Sequence, residues 1–324
     1  MDEELRRALA ALLDGLPPRQ ATAAVDRLIA SYRGTTPTDA PVLRDRADVV
    51  AYAAYRMPAT FEAVTAALGA LADRMPGWTP ASHLDVGGGT GAAAWAVAAT
   101  WGQAPGGRRS TVLDWAEPAL SLGRELARGV LPDTEWRRER ISSALDLPAT
   151  ELITVSYVLG ELTEADRRAA VTAAARAGQA VTLIEPGTPD GYLRIRAARD
   201  QLMDAGFRVL APCPHSGACP IVPGEDWCHF AARVSRSSLH RQVKGGSLAY
   251  EDEKFSYVAA VRGDVRTAAT PAESRVVRKP QIRKGQVLLD LCTADDGLRR
   301  STITKRNRPQ YRPARTTPWG APWP

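Results

Sequence analysis

The chain holds no uncharged apolar run near the roughly 18 residues that a helical membrane span needs. Its first residues, MDEELRRALA, read as charged helix rather than as a signal peptide. It has no internal repeat. Cysteine and histidine are both scarce, with four of each among 324 residues. These lacks lead us to expect a soluble, cytoplasmic protein with no membrane partner, in a reducing compartment where disulfides have little structural use. Clustered thiols there point to metal or catalysis. The 44% apolar content is enough for one large core and a smaller second unit.

The net charge of +6 conceals an asymmetry. From residue 231 onward there are 19 Lys+Arg against 8 Asp+Glu, a net of +11, whereas residues 1–230 hold 23 against 28, a net of −5. Tyr311, Trp319 and Trp323 are interleaved near the basic end. Cations neutralise phosphates and aromatic rings stack on bases, so this segment suits RNA; a solvated basic surface is the plainer reading. No DNA partner is expected.

Three units are expected. Residues 1–78 read as helices: Leu5, Leu9, Leu12 and Leu13 recur at helical spacing, as do Val25, Leu28 and Ile29, with Pro17 and Pro18 between them. A further helical pair, interrupted at Pro58, runs through ADVVAYAAYRMPATFEAVTAALGALADRM, where Tyr55 and Arg56 are the residues with visible chemistry. Residues 79–262 alternate short apolar runs (HLDVG, STVLDW, ELITVSYVLG, AVTLIEPG, FRVLAP) with amphipathic stretches such as 163–177 and 192–205. That alternation implies an α/β, doubly wound parallel sheet with ligand sites at the carboxyl ends of its strands, and KFSYVAAVR adds a late antiparallel strand. Residues 263–324 form a small basic β extension, with a hairpin from QVLLDLC through TADDG to LRRSTITK.

The strongest single motif is LDVGGGTGAAAWA. Asp85, Gly87, Gly89 and Gly91 fall at the end of the first expected strand, where glycines let the backbone turn sharply and approach a ligand. The string also fits a dinucleotide loop. Asp85 and Asp114 tilt the balance, Asp114 being placed at the end of the second strand to hold ribose hydroxyls. These residues resemble the class I S-adenosylmethionine-dependent methyltransferases, a Rossmann-like fold. The resemblance implies cofactor binding by Asp85, Gly87, Gly89, Gly91 and Asp114, with Ser156 and Tyr157 of VSYVLGEL near the reacting centre. The chain lacks the [ND]-P-P-[YFW] stretch of amino-group methylation and any cysteine before Cys213. A base is not indispensable, because transfer to a nucleophilic atom can rely on proximity and orientation.

Three cysteines crowd into PCPHSGACPIVPGEDWCHF, residues 212–230. Cys213, Cys219 and Cys228 are spaced C-x5-C-x8-C, and Cys292 follows 64 positions after Cys228. Paired C-x2-4-C hooks of zinc knuckles are absent. Loose spacing with one remote thiolate suits a cuboidal iron-sulfur cluster, though it could enclose zinc, with His215, His229 or His240 replacing a thiolate.

YRMPAT, LDVGGGTG, VSYVLGEL, PCPHSGACP, DWCHF, YEDEKFSY and LLDLCT together resemble the ribosomal small-subunit methyltransferase-like family, whose mitochondrial members are ribosome assembly factors. The resemblance implies a 4Fe-4S cluster on the four cysteines and association with the small ribosomal subunit and its rRNA. The metal site would then staple the extension to the methyltransferase domain. Two activities are expected of such a chain: methylation of rRNA, or subunit assembly by binding alone.

Overall fold

The apolar runs HLDVG, STVLDW, ELITVSYVLG, AVTLIEPG, FRVLAP and KFSYVAAVR all become strands of one sheet. In the computed structural model, which describes residues 3–14, 23, 46–236, 249–263, 270–295 and 297–324, β1 (Ser82–Val86), β2 (Arg109–Asp114), β3 (Thr134–Arg138), β4 (Thr150–Ser156) and β5 (Gly178–Pro186) are parallel. Val25, Leu28, Ile29, Pro17, Pro18 and His240 lie outside the described residues, as does the side chain of Leu13. Two further strands, β6 (Phe207–Ala211) and β7 (Phe230–Ser235), both pair antiparallel with the long β8 (Tyr250–Arg262). That strand also runs antiparallel to β5, giving the order β3-β2-β1-β4-β5-β8-β6 with β7 on β8. The order reverses between β1 and β4, so a crevice opens at their carboxyl ends.

Alternating side chains of these strands face two helical layers, as a parallel sheet requires. Leu152, Ala180 and Ile184 pack under α1 (Glu3–Asp14), α2 (Arg46–Ala72), α3 (Ala92–Trp101) and α4 (Glu117–Leu126). Ile153, Val181 and Leu183 pack under α5 (Glu164–Ala177) and α6 (Pro189–Asp204). The expected break at Pro58 does not occur: α2 runs unbroken for 27 residues with Pro58 inside it. An interior proline costs about 3 kcal/mol. Here Val50, Ala54, Met57, Phe61, Val64 and Leu68 are all buried, and fully burying one large apolar side chain contributes roughly 1.5–3 kcal/mol. Burial outweighs the lost hydrogen bond.

A second sheet holds β9 (Ser274–Val276), β10 (Gln281–Arg283), β11 (Gln286–Thr293), β12 (Gly297–Thr304) and β13 (Pro322–Trp323). The hairpin β11–β12 pairs from Gln286↔Thr304 to Thr293↔Gly297, and α7 (Arg308–Thr316) lies against it. The aromatics of this segment are packing residues, not free platforms for bases. Tyr311 and Trp323 are buried with Val276, Val287, Leu289 and Leu291, and Trp319 packs on His229 and Phe230. The two rings complete a small core that is otherwise aliphatic.

Candidate functional site

At the crevice, the glycine loop turns on its own hydrogen bonds: Gly87 N–H donates to Leu113 O at 2.8 Å and Gly91 N–H to Gly88 O at 2.7 Å. Its glycines serve different neighbours. A Cβ on Gly87 would meet Val158 Cγ2 at 2.7 Å, and one on Gly91 would meet Trp136 Cη2 at 2.5 Å. On Gly89, with φ +54°, it would meet nothing closer than Asp114 Oδ2 at 3.9 Å. Two of the three are therefore required by the chain's own packing, and of the three Gly89 alone has open space beside it.

Asp114 reaches this loop from the end of β2. Its Oδ2 accepts from Gly89 N–H at 2.9 Å and its Oδ1 from Ala116 N–H at 2.8 Å. Burial raises its pKa, and those backbone donors pull it back in part. Asp85 is completely buried beneath the loop, where Oδ1 accepts from Thr154 Oγ1 at 2.8 Å and Oδ2 has no partner among the described residues. Burial pushes its carboxyl up to about 7. His83 Nε2 lies 2.9 Å from the same Thr154 Oγ1. Because that hydroxyl's proton goes to Asp85, the imidazole is the donor.

The opposite wall comes from the turn after β4. Glu161 of the short 3-10 turn Leu159–Glu161 reaches solvent, yet protein rings it: enclosure, then the charges of Asp114 and Glu185, push its carboxyl up to about 7. Glu185 is buried, accepting from Leu159 N–H at 3.1 Å and from Arg194 Nε at 2.6 Å. Tyr157 is held at φ +59°, unusual for a residue with a Cβ. Its hydroxyl donates to Glu253 Oε1 at 3.1 Å, and the same oxygen accepts from Arg56 Nη2 at 3.3 Å. Arg56 also lies over the Tyr157 ring, 5.7 Å from its centroid. Burial, then Glu253, raises the Tyr157 phenol well above its ordinary value. Ser156, the last residue of β4, is buried. Thus Arg56, noted from sequence, joins Tyr157. Glu253 and Glu161 were missed, although YEDEKFSY and VSYVLGEL contained them.

The cysteine-rich loop joins β6 to β7, two strands lying along the same edge of β8. Cys213, Cys219, Cys228 and Cys292 line one cavity of about 40 Å³ between α6, this loop and the second sheet. Among the described residues no group of three or more His, Cys, Asp or Glu side chains converges closely enough to hold a metal ion. The expected metal site is therefore not present as a ready-made single-ion cage, because the thiols ring a space instead of gathering on a point. Burial, then the neighbouring thiols Cys213 and Cys219, pushes Cys292 up to about 12, and burial likewise raises Cys228 and Cys213. His215 lies in the wall with Nε2 3.8 Å from Cys292 Sγ. His229 is instead stacked on Trp227 with Trp319 edge-on, as an aromatic packing residue.

Arginines lash this loop down. Arg196 Nη1 donates to Ile221 O at 2.7 Å, Arg199 Nη2 to Gly217 O at 2.6 Å, and Arg275 Nε to Pro212 O at 2.9 Å. Arg278 donates to Trp227 O at 3.2 Å and pairs with Asp226. Ser256 Oγ donates to Cys228 O at 2.7 Å and Trp227 Nε1 to Gly187 O at 3.0 Å. Arg275 and Arg278 come from the second sheet and its exit, so part of the basic charge that suggested RNA faces inward.

The strand order and the glycine loop at its reversal point define a Rossmann-like methyltransferase fold. Residues 46–324 match the family model described as mitochondrial small ribosomal subunit Rsm22, and the chain belongs to that family. It is 29% identical over 290 residues to the human ribosome assembly protein METTL17, mitochondrial, a match covering 83% of this chain and 61% of that protein. It is 28% identical over 181 residues to the mitochondrial Rsm22-cox11 tandem protein 2 of Schizosaccharomyces pombe, covering 44% of this chain and 24% of that one. The chain thus spans about three fifths of the first relative and a quarter of the second. Among solved structures, magnesium protoporphyrin IX methyltransferase from Synechocystis with bound SAH has 16% identity and a TM-score of 0.41, covering 74% of this chain and 94% of that one. An S-adenosylmethionine-dependent methyltransferase from Aquifex aeolicus has 16% identity and a TM-score of 0.40, covering 53% and 94%. The fold assignment rests on the strand order, to which these scores add nothing.

Proposed function

We propose that this protein is a small-ribosomal-subunit assembly factor that binds S-adenosylmethionine on a methyltransferase fold and carries a four-thiolate metal centre. Family membership is the observation that carries the reading. We divide the chain for function into a helical region (1–78), a methyltransferase domain (79–262) and a basic extension (263–324).

The residues at the crevice fit the cofactor. Gly87, Gly89 and Gly91 would cradle it, Gly89 turning its open side toward it, while Asp114 would hold ribose hydroxyls and Asp85 would support the loop from below. Bound S-adenosylmethionine would supply an electrophilic methyl group facing Ser156 and Tyr157. The Tyr157 hydroxyl is engaged by Glu253, itself held by Arg56, and this supports binding over turnover. Methylation of rRNA is the second reading. It is favoured by the intact glycine loop and needs no protein base.

Cys213, Cys219, Cys228 and Cys292 would hold the metal centre. A cavity of about 40 Å³, against roughly 10–15 Å³ for one water, supports a broad body such as a 4Fe-4S cluster over a single zinc ion. Such a centre supplies bonds that join loop and second sheet, and its binding energy becomes folding energy. Exposed Lys305, Arg306, Arg308, Arg312 and Arg315 would meet rRNA phosphates. The named relatives are mitochondrial. Reduced thiols require a reducing compartment, which the cytosol and a mitochondrial interior both provide.

The test combines gradient sedimentation of small-subunit precursors with mass spectrometry of rRNA nucleosides, in cells with and without the protein. Defective subunits carrying unchanged methyl marks are expected. A lost mark restored only by a chain with intact Gly89 would establish the enzymatic reading instead.

A further inference from the structure

Two buried guanidiniums in the wall of the thiol cavity carry charge that their protein neighbours neutralise in part for Arg199, through a solvent-exposed Asp200, and not for Arg275. Arg275 on β9 is 3% exposed, and its donors go to backbone oxygens, Nε to Pro212 O at 2.9 Å and Nη1 to Gly320 O at 2.8 Å. Among the described residues no carboxylate pairs with it. Arg199 on α6 is also 3% exposed, and its one carboxylate partner, Asp200, has a side chain 53% exposed to water. Arg199 Nη2 donates to His215 O and Gly217 O, while its buried Nε has no partner among the described residues. Buried charge is retained where a counter-charge meets it, since an isolated ion loses its hydration for nothing.

The missing negative charge has an evident source in the same wall. Four thiolates around a core of two positive charges, whether an oxidised four-iron cluster or a zinc ion, leave a net dianion, and two guanidiniums balance it. We propose that Arg199 and Arg275 are the counter-charges of the four-thiolate centre. Arg275 then couples the second sheet to the charge of a loaded centre, beside the direct bond that Cys292 on β11 would make. The inference rests on the metal reading above and goes beyond it, because it assigns roles to residues that bind no metal. Arg199 is fixed to the methyltransferase layer by α6, whereas Arg275 sits on β9 and ties to Gly320 near the chain's end. With the centre loaded, attraction holds both sheets to the loop; with it empty, two like charges share one cavity wall without the centre's negative charge. These are positioning residues that act on the metal through the field.

The experiment is anaerobic reconstitution of the full chain with iron and sulfide, for wild type, Arg275→Gln, Arg275→Lys and Arg199→Gln. Iron per chain is measured, and reduction is followed by electron paramagnetic resonance against applied potential. All four proteins should bind iron. Both Gln variants should reduce at lower potential, because the added electron lacks its counter-charge, and Arg275→Lys should stay close to wild type. Arg199 and Arg275 stand on different elements, so local misfolding of β9 would not reproduce the pattern. Iron-loaded Gln variants with the wild-type potential would overturn the proposal. So would equal shifts in Arg275→Gln and Arg275→Lys, which would mark a geometric tether. If wild type takes zinc instead of iron, the readout becomes zinc affinity: a loss of tenfold or more in Arg275→Gln, absent in Arg275→Lys, supports the charge role, and equal affinities overturn it. A wild type that binds neither metal removes the centre and this proposal with it.

Discussion

Substituting alanine at Gly89 and at Gly91 separates a glycine kept for a ligand from one kept for packing. Both have positive φ, +54° and +81°, so a Cβ costs about 1–2 kcal/mol at either site. At Gly89 the cost ends there, since the new Cβ lies 3.9 Å from its nearest neighbour. At Gly91 it would sit 2.5 Å from Trp136 Cη2, roughly 1 Å inside normal carbon contact. The ring's retreat is limited, because the same ring edge lies against Gly123 within α4 and the ring packs on the cluster of Ala94, Val112 and Leu120. Overpacking of this kind adds about 1–3 kcal/mol. Thermal unfolding should therefore fall by about 2–6 °C for Gly89→Ala and by two to three times as much for Gly91→Ala.

Cofactor affinity should rank the two the other way. Isothermal calorimetry with S-adenosylmethionine should show at least a tenfold loss for Gly89→Ala, about 1.4 kcal/mol, and a smaller loss for Gly91→Ala at a temperature where it is folded. Equal melting temperatures would refute the packing argument. Unchanged affinity in folded Gly89→Ala would refute the cofactor loop.

Asp85→Asn should alter stability with pH. The native pKa of about 7 lies above the ordinary carboxylate value, so its stabilising contribution is complete below about pH 4 and lost as pH rises through 7. The variant should exceed wild type by a few kcal/mol in denaturant melts at pH 8 and match it near pH 4; equal curves at pH 8 would refute the buried charge. Replacing Lys305, Arg306 and Arg308 together with Gln should weaken small-subunit rRNA binding and reduce the log-log salt slope by up to about 2–3, and an unchanged slope would reassign that face as plain surface. Cys292→Ser should lose iron and speed hydrogen exchange in β9 and β13, although Cys292 is 64 positions from Cys228. Retention of full iron content would remove Cys292 from the ligand set.

How far the sequence could be read depended on whether a residue's partners lay close along the chain. The central strands showed themselves as apolar runs because parallel strands are buried on both faces. β3 did not: TEWRR is an edge strand of half-buried and exposed residues, with only Trp136 turned inward to the glycine loop. The break expected at Pro58 followed a sound local rule that burial of α2 overrode. The glycine loop was legible as a motif from its tight spacing, and the cysteines from their crowding into residues 212–230 of a chain that has four in all. The contacts of Tyr157 were not, because Glu253 lies 96 positions away and Arg56 lies 197 from Glu253.

Charge was the feature most easily misjudged, and the reason is structural. Residues 270–324 hold 12 Lys+Arg against 4 Asp+Glu, which in sequence looks like one uniform basic surface. In the fold it serves two purposes. Lys305, Arg306, Arg308, Arg312 and Arg315 face solvent, while Arg275 is buried and Arg278 half-buried against the cysteine loop. The inward pair ties the second sheet to the loop between β6 and β7, because both donate to carbonyls of that loop. A change in the thiol cavity therefore has a short path to the basic face: from the loop carbonyls to Arg275, from Arg275 to Gly320, and through β13 and β9 to the hairpin that leads into the exposed cations. The cavity and the basic face should respond together, and substitutions at Arg275 should affect both before any exposed arginine affects the cavity.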